Sequence, residues 1–135
     1  MPLRAKSLAS GGDVYGYPFV GPINHTGTVR VDVSALTSDE IDENGYLVPG
    51  VPLKVDGTLV SGTGEVIYGV VIEAIKVAEG NAAGDIAAGV DQDVALALIG
   101  VVNRDIVEDN LGRVLSADEI AAFAAAGSSM RLLPT

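Results

Sequence analysis

Asn44-Gly45-Tyr46-Leu47-Val48-Pro49-Gly50-Val51-Pro52-Leu53-Lys54-Val55-Asp56-Gly57-Thr58 is the stretch on which the reading of this chain turns. It opens on an Asn-Gly turn and closes on an Asp-Gly turn, both of which favour the positive φ angles of tight β connections. Between them Leu47, Pro49, Val51, Leu53 and Val55 fall on one side, and Tyr46, Val48, Gly50, Pro52, Lys54 and Asp56 on the other. That period of two predicts a half-buried strand. Pro49 and Pro52 have no amide to give to a ladder, so the strand is expected at a sheet edge or bulged near Gly50. None of these side chains is a strong nucleophile or general base, and the stretch reads as scaffold.

Outward from it, other segments repeat the pattern. Thr28–Leu36 places Val29, Val31 and Val33 on one face of a predicted strand. Glu65–Ala78 is rich in β-branched residues and reads as a longer strand, with a bulge or close backbone approach at Gly69. Glu79–Asp93 reads as a loop. In Asp93–Val107 apolar residues occupy both faces, which predicts a central strand ended by Asn103-Arg104-Asp105. The one expected helix is Ser116–Gly127: Ser116 and Glu119 have capping-box spacing, alanine fills most other positions, and Gly127 suits a left-handed C-cap. Met130–Leu133 is a short last strand. The fold class is therefore mainly β with one short C-terminal helix.

Residues 1–27 read differently. They hold Pro2, Pro18, Pro22 and a Gly11-Gly12 pair, with no sustained period. We assign them as an extended N-terminal arm preceding one β-rich domain over 28–135. Leu3, Leu8, Tyr15, Tyr17 and Phe19 suit a segment that orders on a partner surface. Arg4 and Lys6 against Asp13 give it a net charge of +1, whereas residues 28–135 carry six basic and seventeen acidic residues.

The chain has 135 residues and a net charge of −10, which disfavours nucleic acids and anionic membranes as partners. There is no cysteine, hence no thiol chemistry. No apolar run reaches transmembrane length, and Met1–Ser10 lacks the apolar core of a signal peptide, so a cytoplasmic product is expected. His25 is the only histidine, and no nucleophile elbow, phosphate loop or paired-carboxylate set stands out. The acidic run Asp39–Gly45 echoes a calcium loop, but its twelfth position is Val51 where a bidentate glutamate belongs, so it reads as a solvated turn. Arg104 and Arg113 are expected to pair with the acidic loop between them. No catalytic residue, metal site or cofactor is assigned, and the chain is not expected to be an enzyme.

Several of these segments together resemble the head decoration, or capsid cement, proteins of tailed bacteriophages, of the lambda type. The residues that carry the resemblance are Pro49-Gly50-Val51-Pro52-Leu53-Lys54 followed by Asp56-Gly57, then Tyr68-Gly69-Val70-Val71, then the hydrophobic strand Asp93–Val102. The likeness covers roughly Gly45–Val102. From Asn103 to Arg113, and through the helix after it, the chain departs from the small lambda type and is similar to larger decoration-like proteins. The resemblance implies a β-tulip or small barrel-like body. It implies attachment to the outer surface of the mature capsid, with the phage major capsid protein as partner, and a homo-oligomer, a trimer being favoured. On that footing Pro2, Leu3, Arg4, Lys6, Leu8, Tyr15, Tyr17 and Phe19 are the candidate capsid-binding residues, and the protein is made in the host cytoplasm to end on the virion surface. The alternative is a phage surface module that recognises a host ligand such as a glycan, which requires a groove lined by exposed aromatics.

Overall fold

The computed structural model describes residues 15–133. In chain order its strands and helices are β1 (Phe19–Val20), β2 (Thr26–Val31), β3 (Tyr46–Leu47), β4 (Pro52–Leu53), β5 (Gly69–Val71), β6 (Ile75–Lys76), α1 (Ala83–Ala87), β7 (Gln92–Ala97), β8 (Gly100–Asn103), α2 (Arg104–Leu111), α3 (Ala117–Ala124) and β9 (Met130–Leu133). A 3-10 turn, Val33–Ala35, follows β2. Strands dominate, in three sheets ordered β2-β7-β5-β4, β1-β8-β9 and β3-β6. All pairings are antiparallel except β8 with β9.

The Asn44–Thr58 stretch forms both expected turns but not one continuous strand. Both turns form, with Gly45 at φ 87° and Gly57 at φ 82°. A Cβ on either would strike a backbone carbonyl oxygen, that of Ala78 at 1.8 Å or that of Arg30 at 1.9 Å. Between them the strand is broken at Gly50 (φ 99°), so β3 pairs with β6 while β4 pairs with β5. β4, with Pro52, is an edge strand, as its proline requires. The break also shifts the alternation. Leu47, Val51 and Leu53 are buried as expected, but Val48 is buried with them and Val55 is 71% exposed.

Other boundaries move. Val29, Val31 and Val33 all face the core, although the strand holding the first two ends at Val31 and Val33 opens the 3-10 turn. The run Glu65–Ala78 forms two short strands, not one long one. The expected loop Glu79–Asp93 contains α1, whose Ile86 is buried. The hydrophobic run from Asp93 splits into β7 and β8 around a turn at Leu98–Ile99, and its tail becomes α2. α2 forms because the Asn103 side chain accepts from the amides of Asp105 and Ile106, Asp105 complements the helix N-terminus, and Gly112 takes the left-handed C-cap (φ 73°). α3 starts with the full Ser116–Glu119 capping box but ends at Ala124, with Ala125 as its C-cap; Gly127 does not take the left-handed conformation. There are thus three helices among the described residues, not one.

No sheet closes on itself. β2 and β4 end one sheet and β1 and β9 another, so the small-barrel expectation is not met among the described residues. β1, β3, β4 and β6 have two residues each and β5 three, too short to continue a sheet round into a barrel. One apolar cluster, including Val31, Leu53, Val70, Leu96, Phe123 and Met130, unites the sheets and helices. No helix among the described residues is long and apolar enough to cross a membrane.

Candidate functional site

The described part of the N-terminal segment, residues 15–27, is fastened to the sheets at several points. Gly16 and Asn110 bond reciprocally: the Gly16 amide donates to Asn110 Oδ1 at 3.0 Å, and Asn110 Nδ2 donates to the Gly16 carbonyl at 2.9 Å. The same Nδ2 reaches the Pro49 carbonyl at 3.2 Å, which ties the segment to the Pro49-Gly50 break. The Tyr15 hydroxyl donates to Asp42 Oδ2, while Asp42 Oδ1 accepts from the amides of Asn44 and Tyr46 at 2.9 and 3.0 Å. The Asn103 amide donates to the Pro18 carbonyl at 2.7 Å, and Phe19 and Val20 pair with Val102 and Val101.

The candidate capsid-binding residues therefore divide. Pro2, Leu3, Arg4, Lys6 and Leu8 lie outside the described residues. Phe19 is buried in the core, and Tyr15 is half-buried over Asp42. Tyr17 is 53% exposed; its ring packs edge-on to Phe19 and its hydroxyl donates to the Gly21 carbonyl at 2.9 Å. Beside it, Val20 is half exposed. Tyr17 and Val20 thus form the outward part of this anchor. A boundary at residue 27 would also cut through β2, which begins at Thr26.

The acidic run is structural. Glu40 is 2% exposed and accepts from the Thr37 amide and hydroxyl, both at 2.8 Å. Its other oxygen meets Arg113 Nη2 at 3.1 Å. Arg113 also grips Glu119, itself 4% exposed, through Nη1–Oε1 at 2.8 Å and Nη2–Oε2 at 3.2 Å, and reaches Asp39 at 3.3 Å. The Glu119 hydrogen bond leads in pushing the guanidinium pKa further up. Burial works to raise the Glu119 carboxyl, but Arg113 and the Ser116 amide outweigh it and hold it below its ordinary value. Arg113 does not pair with the acidic loop between it and Arg104; it bonds Asp39 and Glu40 on one segment and Glu119 on another. Arg104 does pair within its own helix, with Glu108 at 3.0 Å. Among the described residues no group of three His, Asp or Glu side chains is placed to hold a metal ion.

Two larger concavities remain. One, of about 680 Å³, lies beside the Arg113 cluster and is lined by Leu59, Val60, Val114 and Leu115. The other is an apolar groove of about 610 Å³, lined by Val55, Val66, Ile67, Tyr68, Leu98 and Ile99, with Lys54 and Glu65 at its rim. Lys54 Nζ meets Glu65 Oε2 at 2.6 Å. That bond, with the amides of Ser61 and Gly62, holds the Glu65 carboxyl at about 2. Tyr68 is the groove's sole tyrosine. Tyr46 instead lies under Lys76, 5.9 Å from its ring centroid, so the tyrosines are not gathered into an aromatic-lined groove. Nothing in the sequence pattern marks this groove, because Leu98 and Ile99 read there as a continuing central strand.

Comparison with protein-family models, with curated proteins and with solved structures finds no match to this chain.

Proposed function

We propose that this protein is a structural component of a tailed-phage virion. It binds the outer surface of the mature capsid and stabilises it by bridging capsid subunits, as a homo-oligomer and without catalysis. The observation that carries the reading is the anchor at Tyr15–Val20. A segment bearing Arg4 and Lys6 leads into a point fixed on the acidic body by the Gly16–Asn110 bonds and the β1–β8 pairing. In this reading the residues before Tyr15 meet a neighbouring surface while the body stays intact. Ordering on capsid sheets gains main-chain hydrogen bonds, and many copies on one shell multiply a modest single-site affinity. Pro2, Leu3, Arg4, Lys6 and Leu8 make the capsid contact, with exposed Tyr17 continuing it. Tyr15 and Phe19 act behind them as the anchor. The resemblance around Pro49–Gly57 supports the same reading and brings with it a tulip-like body and an extended arm.

Removing Pro2–Ser10 tests this. The truncated chain is expected to keep its circular dichroism spectrum and melting temperature while losing capsid binding. Undiminished binding by the truncated chain would overturn the assignment.

A further inference from the structure

We propose that the concavity beside Arg113 is a docking groove for the chain's own residues Leu3–Leu8, which lie back on the body that follows them when no other partner is present. The docking does not depend on capsid attachment. Only its consequence, a segment that must be displaced from the groove before it meets a capsid, rests on that reading. Tyr15, the first described residue, is held by Asp42, and Gly16 by Asn110. Glu40 stands two residues before Asp42 and Arg113 three after Asn110, and both line the concavity of about 680 Å³. The chain therefore enters the described body at the side of this groove. Seven residues separate Leu8 from Tyr15 and twelve separate Leu3 from it. At about 3.3 Å per extended residue, seven span roughly 23 Å, enough to cross a concavity of this size. The Gly11-Gly12 pair between them permits a reversal of the chain.

The lining matches the segment in two respects. Leu59, Val60, Val114 and Leu115 give it an apolar floor, and Val114 is 64% exposed. Its wall is net negative, because the single Arg113 guanidinium serves Asp39, Glu40 and Glu119, and Lys54 is already taken by Glu65. Asp39, with a side chain 53% exposed, is the outer edge of that wall. In an extended segment Arg4 and Lys6 fall on one side and Leu3 and Ala5 on the other. The basic side meets the carboxylate wall while Leu3 and Ala5 cover the floor.

Charge favours this occupant over others. The net charge of −10 opposes the approach of a second acidic body, whereas Arg4 and Lys6 are the only basic residues before Arg30 and are tethered to the groove's own side. Tethering makes the contact intramolecular, so a weak affinity suffices to fill the groove. The groove at Tyr68 is the poorer match: its carboxylates are Glu65, held by Lys54, and Asp56, which accepts from the Thr58 amide and hydroxyl. A contact this small adds little to the melting temperature of the body.

The test is paramagnetic relaxation on the free full chain, with no heads present, so its outcome is separate from that of the capsid experiment. The chain has no cysteine, so Ser7→Cys gives a single attachment point for a nitroxide. The methyl signals of Val60 and Val114 are expected to lose most of their intensity and to regain it when the nitroxide is reduced. Dilution leaves the loss unchanged, and a mixture with the nitroxide and the isotope label on different copies shows none. Val114→Lys, at an exposed position, sets a like charge against Arg4 and Lys6 and restores the signals. If that variant fails to fold, Arg4→Glu with Lys6→Glu, which alters nothing in the described body, gives the same reading. Full signals at Val60 and Val114 beside the active nitroxide, a loss centred instead on Val55 and Val66, a loss in the mixed sample, or a loss that survives these substitutions would overturn the docking.

Discussion

Arg113 holds Glu119 through both carboxylate oxygens, at 2.8 and 3.2 Å, and with the same guanidinium reaches Glu40 at 3.1 Å. One cation thus serves two buried carboxylates, one on the acidic loop and one at the start of α3. Replacing Arg113 with Met leaves both without it. Breaking a buried pair costs about 3–5 kcal/mol, and the lower end applies because the arginine side chain is 27% exposed. A urea unfolding curve of Arg113→Met should show a loss of about 3 kcal/mol. A loss under about 1 kcal/mol, the range of surface ion pairs, would contradict this role.

Acid should weaken the fold in a defined window. Glu65, held at about 2 against an ordinary 4.5, and Glu119, also held low, bind protons more readily unfolded than folded. Their stabilisation is fully present above the ordinary carboxyl value and is lost as pH falls through the folded values. Melting temperature should therefore stay level from about pH 7 to about pH 5 and then fall towards pH 2. Glu65→Gln should make that fall shallower. A melting temperature that rises on acidification through the window would contradict the assignment.

Tyr15→Phe removes one of the hydrogen bonds on buried Asp42, whose other oxygen keeps the amides of Asn44 and Tyr46. The expected cost is about 1–2 kcal/mol. Limited proteolysis should then cut the chain near residues 15–20 faster than in the unaltered protein, with the sheets still resistant. Unchanged cleavage would show that Tyr15 does not fasten the segment.

Gly57→Ala places a Cβ 1.9 Å from the Arg30 carbonyl oxygen at a residue with φ 82°. Neither backbone atom can move without disturbing β2. The loss should be at least about 2 kcal/mol by thermal or denaturant unfolding, whereas Gly64→Ala, also at positive φ but with open space around it, should lose about 1 kcal/mol. Equal losses at the two sites would show that the β2 contact is not the cause.

What is legible in the sequence follows local chemistry. The Asn-Gly and Asp-Gly turns, the Ser116–Glu119 box and the Val29-Val31-Val33 face are each decided by residues a few positions apart. The sequence is ambiguous where one apolar run serves two elements. Val101, Val102, Ile106 and Val107 look continuous, yet a strand ends and α2 begins between them. Asn103 as N-cap and Gly112 as C-cap were the signals that mark the change. Gly50 divides β3 from β4, and only long-range pairing decides that the two halves join different sheets. The Arg113 cluster was illegible for a related reason. Its carboxylates Glu40 and Glu119 are far apart in sequence and meet at one guanidinium, and no spacing rule connects them. Phe19 reads as an arm residue because the strand that holds it comes more than eighty residues later, and so does the Asn110 that ties down the neighbouring Gly16.

The central claim, attachment to a mature phage head, is tested most directly by cosedimentation. The purified chain is mixed with tailed-phage heads before and after expansion. The account predicts that the chain pellets saturably with expanded heads and stays in the supernatant with unexpanded ones. A chain that remains in the supernatant with both would contradict it.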